Sequence, residues 1–472
     1  MNKNLLLLLP SVLFCFTQSL SQEKELTIEN KMITPHEIGI FDTDLLTPQF
    51  HKERRDELRK LMPDNSMAIL YSSPIRNRSN DIDYEYHQDP NFYYLTGLNE
   101  PHSAIIIFKE KREIEGVMTN EIIFVQPRKA SSELWLGKRM GVDGVKQFLK
   151  IETVKANNEL ENWDLTATKK TQVFFISDQN DTRDTRSNSD LFDLKLLLKS
   201  KTGEYEQEFF KLNKWMAKLR EIKTQEELVL MRKAIDITCK SQIELMKKLN
   251  PKMAEYQTEA LVEFHFKNEG AEHAGFPSIH GSGGNSCILH YVSNRRMFEQ
   301  NDLLVSDIGA EYHGYTADVT RTLPVNGKYS KEQAIIYNIV LEAQTAGIDA
   351  CLEGNSFWKP GQIANEIITK RLLELGIIKK ANEVKKYFPH GTSHYLGLDV
   401  HDMGTYNSLK ANQVITVEPG IYIPEGADCD EKWWNIGVRI EDDILITSGQ
   451  PENLSDCIPR SIKEIEKIMT QD

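Results

Sequence analysis

The sequence predicts an α+β protein in two parts, a smaller N-terminal α/β domain and a larger domain that opens on helices and closes on strands. Three observations carry this. The chain has 472 residues, enough for two or three domains at about 150 residues each. Helical and strand-like segments mix from about residue 50 to 180, after which the composition turns polar between about 178 and 207, where "SDQNDTRDTRSNSD" is rich in turn formers. From about 210 onward, long helical periodicities come first and β-rich runs follow. The two domains are therefore expected at 45–207 and 215–465.

Composition narrows the class. Hydrophobic residues make up 40% of the chain and charged residues 27%, ordinary values for a folded, water-soluble protein. With 57 basic and 70 acidic residues the formal charge is −13 and no basic patch is visible, so nucleic acid is not an expected partner. Residues 1–22, "MNKNLLLLLPSVLFCFTQSLSQ", combine Lys3, an apolar run from Leu5 to Phe16, and the small residues Ser19 and Ser21. That order reads as a secretory signal peptide, too short to span a bilayer core of about 30 Å. The mature protein is expected to be exported, periplasmic or secreted, without membrane attachment after cleavage. Removal of Cys15 leaves five cysteines, an odd number without metal-ligand spacing. Free buried thiols are the expectation, with two bridges at most.

The elements follow in chain order. "FHKERRDELRKLM" is a short amphipathic helix, Met67 to Tyr71 an apolar run, "SAIIIF" and "EIIFVQP" are strand-like, and Phe92 to Tyr94 is an aromatic cluster. In the second domain, Thr224 and Glu227 form a capping-box pattern ahead of Leu228, Met231, Ile235, Cys239, Ile243 and Met246 at helical spacing. Another helix starts at Ser330, with Gln333 three residues on, and a third follows Gly361. Strands are expected at Leu303 to Ile308, Tyr315 to Thr322, Val414 to Glu418 and Val438 to Thr447.

Several of these segments carry carboxylates or histidines where apolar residues would be usual. In "LLVSDIGAEYHGYTADVTRT" a reversal that pairs Glu311 with Gly314 places Asp307 opposite Asp318 on one face. Like charges so placed repel and call for a cation between them, and oxygen ligands suit Mn²⁺ and related hard ions. A solvated hairpin face with incidental aspartates is the other reading. "FPHGTSHYLGLDVHDMG" holds His390, His394 and His401, a density too costly to bury without partners, although the His-Glu-x-x-His pattern of zinc peptidases is missing. Glu418 in "VITVEPGIYI" and Glu441 in "GVRIEDDILIT" are carboxylates in apolar strand contexts that need a counter-charge. Arg439, two residues from Glu441, offers one as a plain salt bridge. "HGSGGNSCILHYVSN" lacks the ending of a phosphate loop; its glycines permit close backbone approach at a site edge near His290, with Cys287 a bystander. Two aspartates, two glutamates and a histidine together suggest a two-metal site for metal-assisted hydrolysis.

At this point the blocks "SDIGAEYHGYTADVTRTLPVNGKYS", "HGTSHYLGLDVHD", "TVEPGIYI" and "GVRIEDDILIT" resemble the metal-binding blocks of the aminopeptidase P (Xaa-Pro aminopeptidase) family. "RRDELRKLMPDNSMAIL", "HQDPNFYYLTGLNEP" and "ELWLGKRMG" extend the resemblance over the first domain. The resemblance implies a pita-bread catalytic domain behind the smaller α/β domain. It implies two divalent ions, usually Mn²⁺, held by Asp307, Asp318, His394, Glu418 and Glu441, with Asp318 and Glu441 bridging. Glu418 would also take the proton of the attacking water. His290 and His401 would contact substrate and stabilise the tetrahedral intermediate, His390 would line the pocket, and Arg439 would join them on the substrate side. The implied substrates are peptides with proline second, and the implied assembly is a dimer or tetramer. Prolidase, the Xaa-Pro dipeptidase, shares fold and ligands and is the nearest alternative, but "HQDPNFYYLTGLNEP" and Ser393 within "HGTSH" look more like aminopeptidase P. A non-catalytic peptide-binding module on the same fold would be marked by lost ligands, and all five are present.

Overall fold

A computed structural model describes residues 33–114, 116–162, 172–175, 191–202 and 209–470. The signal-peptide reading of residues 1–22 lies outside them. The N-terminal sheet has five strands, in the order Val154–Ala156, Val117–Val125, Ala104–Ile114, Ser66–Tyr71 and Gln172–Phe175. The central pairs are antiparallel and both edge pairs parallel. All six residues of Ser66–Tyr71 are buried, as a central strand covered on both faces requires.

The helix Pro48–Leu61 starts where Thr47 accepts a hydrogen bond from the Phe50 amide and Pro48 supplies a preset φ. Its inner face also buries a charge. Arg55 donates to both oxygens of Glu121 at 2.9 Å and to the Leu95 carbonyl at 2.7 Å, and Arg59 joins the same carboxylate. The aromatic cluster lies on the helix Pro90–Thr96, capped by Asp89 and ended by Gly97 at φ 71°. Within the stretch that reads as polar, Leu191–Thr202 is a helix, because "LFDLKLLLKSKT" carries enough leucine to pack.

In the second domain both predicted capping boxes form, Thr224 with Glu227 on the helix Gln225–Lys248 and Ser330 with Gln333 on the helix Lys331–Asp349. The third helix runs Lys359–Glu374 and takes in Gly361, with Pro360 in its first turn, so it begins earlier than the glycine suggested. These helices back a set of short antiparallel sheets. One orders Val319–Pro324, Leu303–Ile308 and Ile279–Ser282; another Val414–Val417, Asp442–Leu445 and Glu452–Asn453; a third pairs Gly420–Ile423 with Ile436–Arg439.

The cysteines depart from the expectation. Cys239 and Cys457 form a disulfide across 218 residues of sequence, while Cys287, Cys351 and Cys429 stay free. Sequence spacing could not show the pair, because the C-terminal segment returns to the helix Gln225–Lys248 only in the folded chain.

The two domains share contacts of every kind. Tyr315, Leu396, Leu398 and Val414 of the second domain belong to the same apolar core as the N-terminal strands. Asp402 is held by Arg220, the last residue of the helix Phe209–Arg220, and at 3.0 Å by Lys223 just beyond it, and Arg220 reaches Asn91 of the first domain at 2.8 Å. Two histidine pairs also cross the seam. His87 meets Glu311 at 2.9 Å, and His313 lies between Asp44 at 2.9 Å and Glu272 at 2.6 Å. No helix among the described residues is long and apolar enough to cross a membrane.

Candidate metal centre

Asp307 and Asp318 come from one hairpin, but not in the expected register. Tyr312 pairs with Tyr315 across His313 and Gly314, both at positive φ, the geometry of a type I′ turn. Asp307 therefore faces Thr320, two residues beyond Asp318. A slip of two keeps the face, whereas a slip of one would have turned Asp318 away. Asp318 lies just outside the ladder, in the gap between Tyr315–Thr316 and Val319–Pro324, and its amide donates to Asp443 Oδ2 at 3.2 Å.

His394 reaches the site from a loop tied to the strand Val414–Val417, through Thr416 N to His394 O at 3.0 Å and His394 N to Thr416 Oγ1 at 3.2 Å. Its Nδ1 faces the Tyr395 carbonyl at 3.0 Å, which assigns the proton to Nδ1 and leaves the Nε2 lone pair for the cleft. Nε2 lies 3.4 Å from Asp318 Oδ2 and 3.5 Å from Glu418 Oε1. Glu418 follows its strand directly, its amide bonded to the Thr392 carbonyl at 2.9 Å. Glu441 occupies a break between Ile436–Arg439 and Asp442–Leu445, and its Oε2 accepts from Thr320 Oγ1 at 2.6 Å. Ligand atoms of Asp318, His394 and Glu441 all lie within 4.8 Å of one another.

The site's electrostatics call for a cation. Burial first, and then the neighbouring carboxylates, push Asp318 and Glu441 well above the usual carboxylate range; Glu418 is raised mainly by burial. Arg439 supplies one positive charge, but it is spent on Asp307, at 2.6 Å, rather than on Glu441 as the salt-bridge reading had it. The second oxygen of Asp307 is buried without a partner. Four carboxylates and one imidazole nitrogen around an orphaned oxygen form a donor set that fits hard divalent ions.

All nine residues singled out from the sequence line one cleft of about 490 Å³, namely His290, Asp307, Asp318, His390, His394, His401, Glu418, Arg439 and Glu441. Phe276, Pro277, Ile279, Leu289, Val292 and Val400 give it an apolar wall. His390 Nε2 lies 2.9 Å from Tyr422 Oη, and burial and Arg439 pull its ring down to about 4. The His401 ring meets His394 edge-on, centroids 4.5 Å apart, and burial lowers it too. Cys287 stands outside the cleft, raised to about 11 by burial, in keeping with a bystander.

Four partners escaped the reading of the sequence. Thr320 bonds both Glu441 and, at 3.1 Å, Arg439 Nε; Tyr422 joins His390 to Arg439; Asp443 holds the Asp318 amide; Asp402 anchors the segment after His401. Each is a common residue in a strand or loop, and only the buried Asp442-Asp443 pair beside Glu441 carried a readable signal.

Comparison with known proteins adds independent findings. Residues 229–448 match the model of metallopeptidase family M24, and residues 51–174 that of the aminopeptidase P N-terminal domain. The Xaa-Pro aminopeptidase of Haemophilus influenzae is 35% identical over 431 residues, covering 89% of this chain and 96% of that one. The Escherichia coli Xaa-Pro aminopeptidase is 32% identical, covering 90% and 98%. Among solved structures, Pseudomonas aeruginosa aminopeptidase PepP superposes with a TM-score of 0.81 at 31% identity, covering 90% of this chain and 99% of that one. A zinc-substituted Escherichia coli aminopeptidase P in complex with product gives 0.79 at 30% identity, covering 90% and 98%.

Proposed function

The chain belongs to metallopeptidase family M24, with the aminopeptidase P domain ahead of a pita-bread domain, and is a metal-dependent exopeptidase; we propose that it releases the first residue of peptides whose second residue is proline. The observation that carries this reading is the convergence of five metal-type ligands and four further cationic or imidazole side chains on one cleft. Asp307, Asp318, His394, Glu418 and Glu441 would hold two divalent ions, for which the oxygen-rich donor set favours Mn²⁺. Bound there, the ions supply Lewis-acid activation of water and of the scissile carbonyl.

The remaining steps fall to the chain's own groups. Glu418, whose second oxygen lies 3.6 Å from His390 Nδ1, takes the proton of the attacking water and returns it to the leaving amine. His290 and His401, both lining the cleft, contact the substrate around the reacting carbonyl. The neutral ring of His390 and the hydroxyl of Tyr422 orient the carboxylate side of the cleft. Arg439 holds the Asp307 carboxylate in place through its 2.6 Å hydrogen bond to Oδ2. The Phe276, Pro277 and Val292 wall suits a proline ring better than a charged side chain. We further propose export through the N-terminal segment, followed by assembly as a dimer or tetramer.

The test is hydrolysis of a dipeptide Xaa-Pro and of a longer peptide Xaa-Pro-Xaa, each with Mn²⁺ and with chelator. Cleavage of the longer peptide, abolished by chelation, is the expected result. Turnover of the dipeptide alone would move the assignment to prolidase, and no cleavage with metal bound would leave only a binding role.

A further inference from the structure

The segment 282–296 carries His290 to the cleft, yet at its outer turn His290 is exposed and takes its place from the backbone around it. That backbone converges on one residue. Glu255 is fully buried, at the first position of the helix Glu255–Asn268. Its Oε1 accepts from Ser282 N at 2.9 Å, Ser282 Oγ at 2.8 Å and Asn285 Nδ2 at 3.0 Å. Its Oε2 accepts from Tyr291 Oη at 2.9 Å and Arg296 N at 2.8 Å. The Glu255 amide closes the ring by donating to the Arg296 carbonyl at 3.0 Å.

All five donors to the carboxylate are uncharged groups, since the Arg296 guanidinium is directed to Glu299, Asp302 and Ser282 Oγ. The donor set, the N-terminal end of the helix and the nearby Arg296 charge together compensate the buried carboxylate. A carboxylate offers about four lone-pair directions and no hydrogens, so five inward-pointing donors define a socket for an acceptor-only side chain. The donors come from both ends of the loop and from Tyr291, the residue adjoining His290. Loss of the acceptor frees both feet of the loop and its tip at once.

We propose that Glu255 is a positioning residue that fixes the 282–296 loop and thereby sets where His290 meets the substrate. The proposal rests on the reading of His290 as a substrate contact. Glu255 stands outside the cleft and acts only through the loop.

The experiment is a double-mutant cycle on the metal-loaded full chain, with kcat/KM for an Xaa-Pro-Xaa peptide and amide hydrogen exchange over 283–293 as readouts. Glu255→Gln keeps the shape but turns an NH₂ group toward the donors. It is expected to lower kcat/KM roughly tenfold to a hundredfold, the equivalent of one or two lost hydrogen bonds to a charged group. Exchange over 283–293 is expected to accelerate while metal content holds. In a His290→Ala background the same change is expected to cost less than about twofold, because the group being positioned is gone. Tyr291→Phe, which removes a single donor at the rim, gives a smaller loss of the same pattern and serves if Glu255→Gln does not fold. An equal loss in both backgrounds, or exchange that is unchanged, overturns the proposal. If His290→Ala alone leaves activity intact, the reading of His290 fails instead, and that result is separable because the exchange readout does not depend on turnover.

Discussion

Thr320 shows how much of the metal centre is held by side chains that never meet a metal. One hydroxyl donates to Glu441 Oε2 and accepts from Arg439 Nε, so it orients a ligand and also the arginine that pairs with Asp307. Thr320→Val keeps the shape and removes both bonds. The expected outcome is a tenfold to hundredfold loss of metal affinity, the usual effect of deleting a partner of a ligand, with little change in fold. Titration of the metal-stripped variant with Mn²⁺, followed calorimetrically, checks it. A ligand substitution should act more bluntly. His394→Ala removes the only imidazole of the five, and its expected signature is loss of bound metal, by elemental analysis, together with at least a hundredfold loss of kcat. The residues legible beforehand were those whose chemistry clashed with their surroundings, such as Glu418 and Glu441 in apolar strands. Thr320 and Tyr422 fit their strands without conflict, so nothing in the sequence marked them.

At the scale of elements, two of the ligands lie where strand pairing stops, while Asp307 sits within a paired strand. Asp318 and Glu441 both interrupt segments that the sequence presents as continuous strands, Tyr315 to Thr322 and Val438 to Thr447. Apolar runs reveal that a strand exists, but its breaks depend on contacts with distant neighbours, here the Glu441 amide bonded to Thr320 O and the Asp318 amide to Asp443. The hairpin register differs by two because the two-residue turn is centred on His313 and Gly314, both at positive φ, one residue further along than the equally short turn that pairs Glu311 with Gly314. Gly309 permits the break on the other strand. A Cβ there would lie 1.8 Å from the Ala317 carbonyl oxygen, backbone that cannot withdraw without moving Asp318. Gly309→Ala is expected to destabilise the protein by more than about 3 kcal/mol, or to prevent folding, as overpacking against backbone does. Urea unfolding monitored by tryptophan fluorescence measures it, and a loss below about 1 kcal/mol would show that the hairpin can shift.

For the whole molecule, the domain seam couples stability to pH. His87 and His313 both titrate above the ordinary histidine value, His87 chiefly through its hydrogen bond to Glu311, and His313 through Glu272 and Asp44 despite the opposing effect of burial. A histidine raised in the folded state binds its proton more tightly there than in the unfolded chain. Its contribution is complete below the unfolded value of about 6.5 and is lost as pH rises through the folded-state value. The paired acids Asp44 and Glu272 are lowered, so their contribution fades in the opposite direction, as pH falls through their folded-state values. The melting temperature is therefore expected to decline from about pH 6.5 toward pH 9 more steeply in the wild type than in His313→Gln, and scanning calorimetry across that range decides it. Parallel curves would show that the seam does not titrate.

The disulfide between Cys239 and Cys457 has a consequence at this same scale. Asp307, Asp318, His394, Glu418 and Glu441 all fall within the 218-residue stretch that it closes. A denatured chain with the bridge intact is thus a lariat whose noose contains every metal-binding group, while the N-terminal domain hangs from it as a tail. Closing so large a noose removes denatured-state entropy equivalent to about 5 kcal/mol on the chain-entropy account. Refolding then starts from ligands already gathered on one circle, and metal recapture after unfolding should be faster with the noose shut than cut.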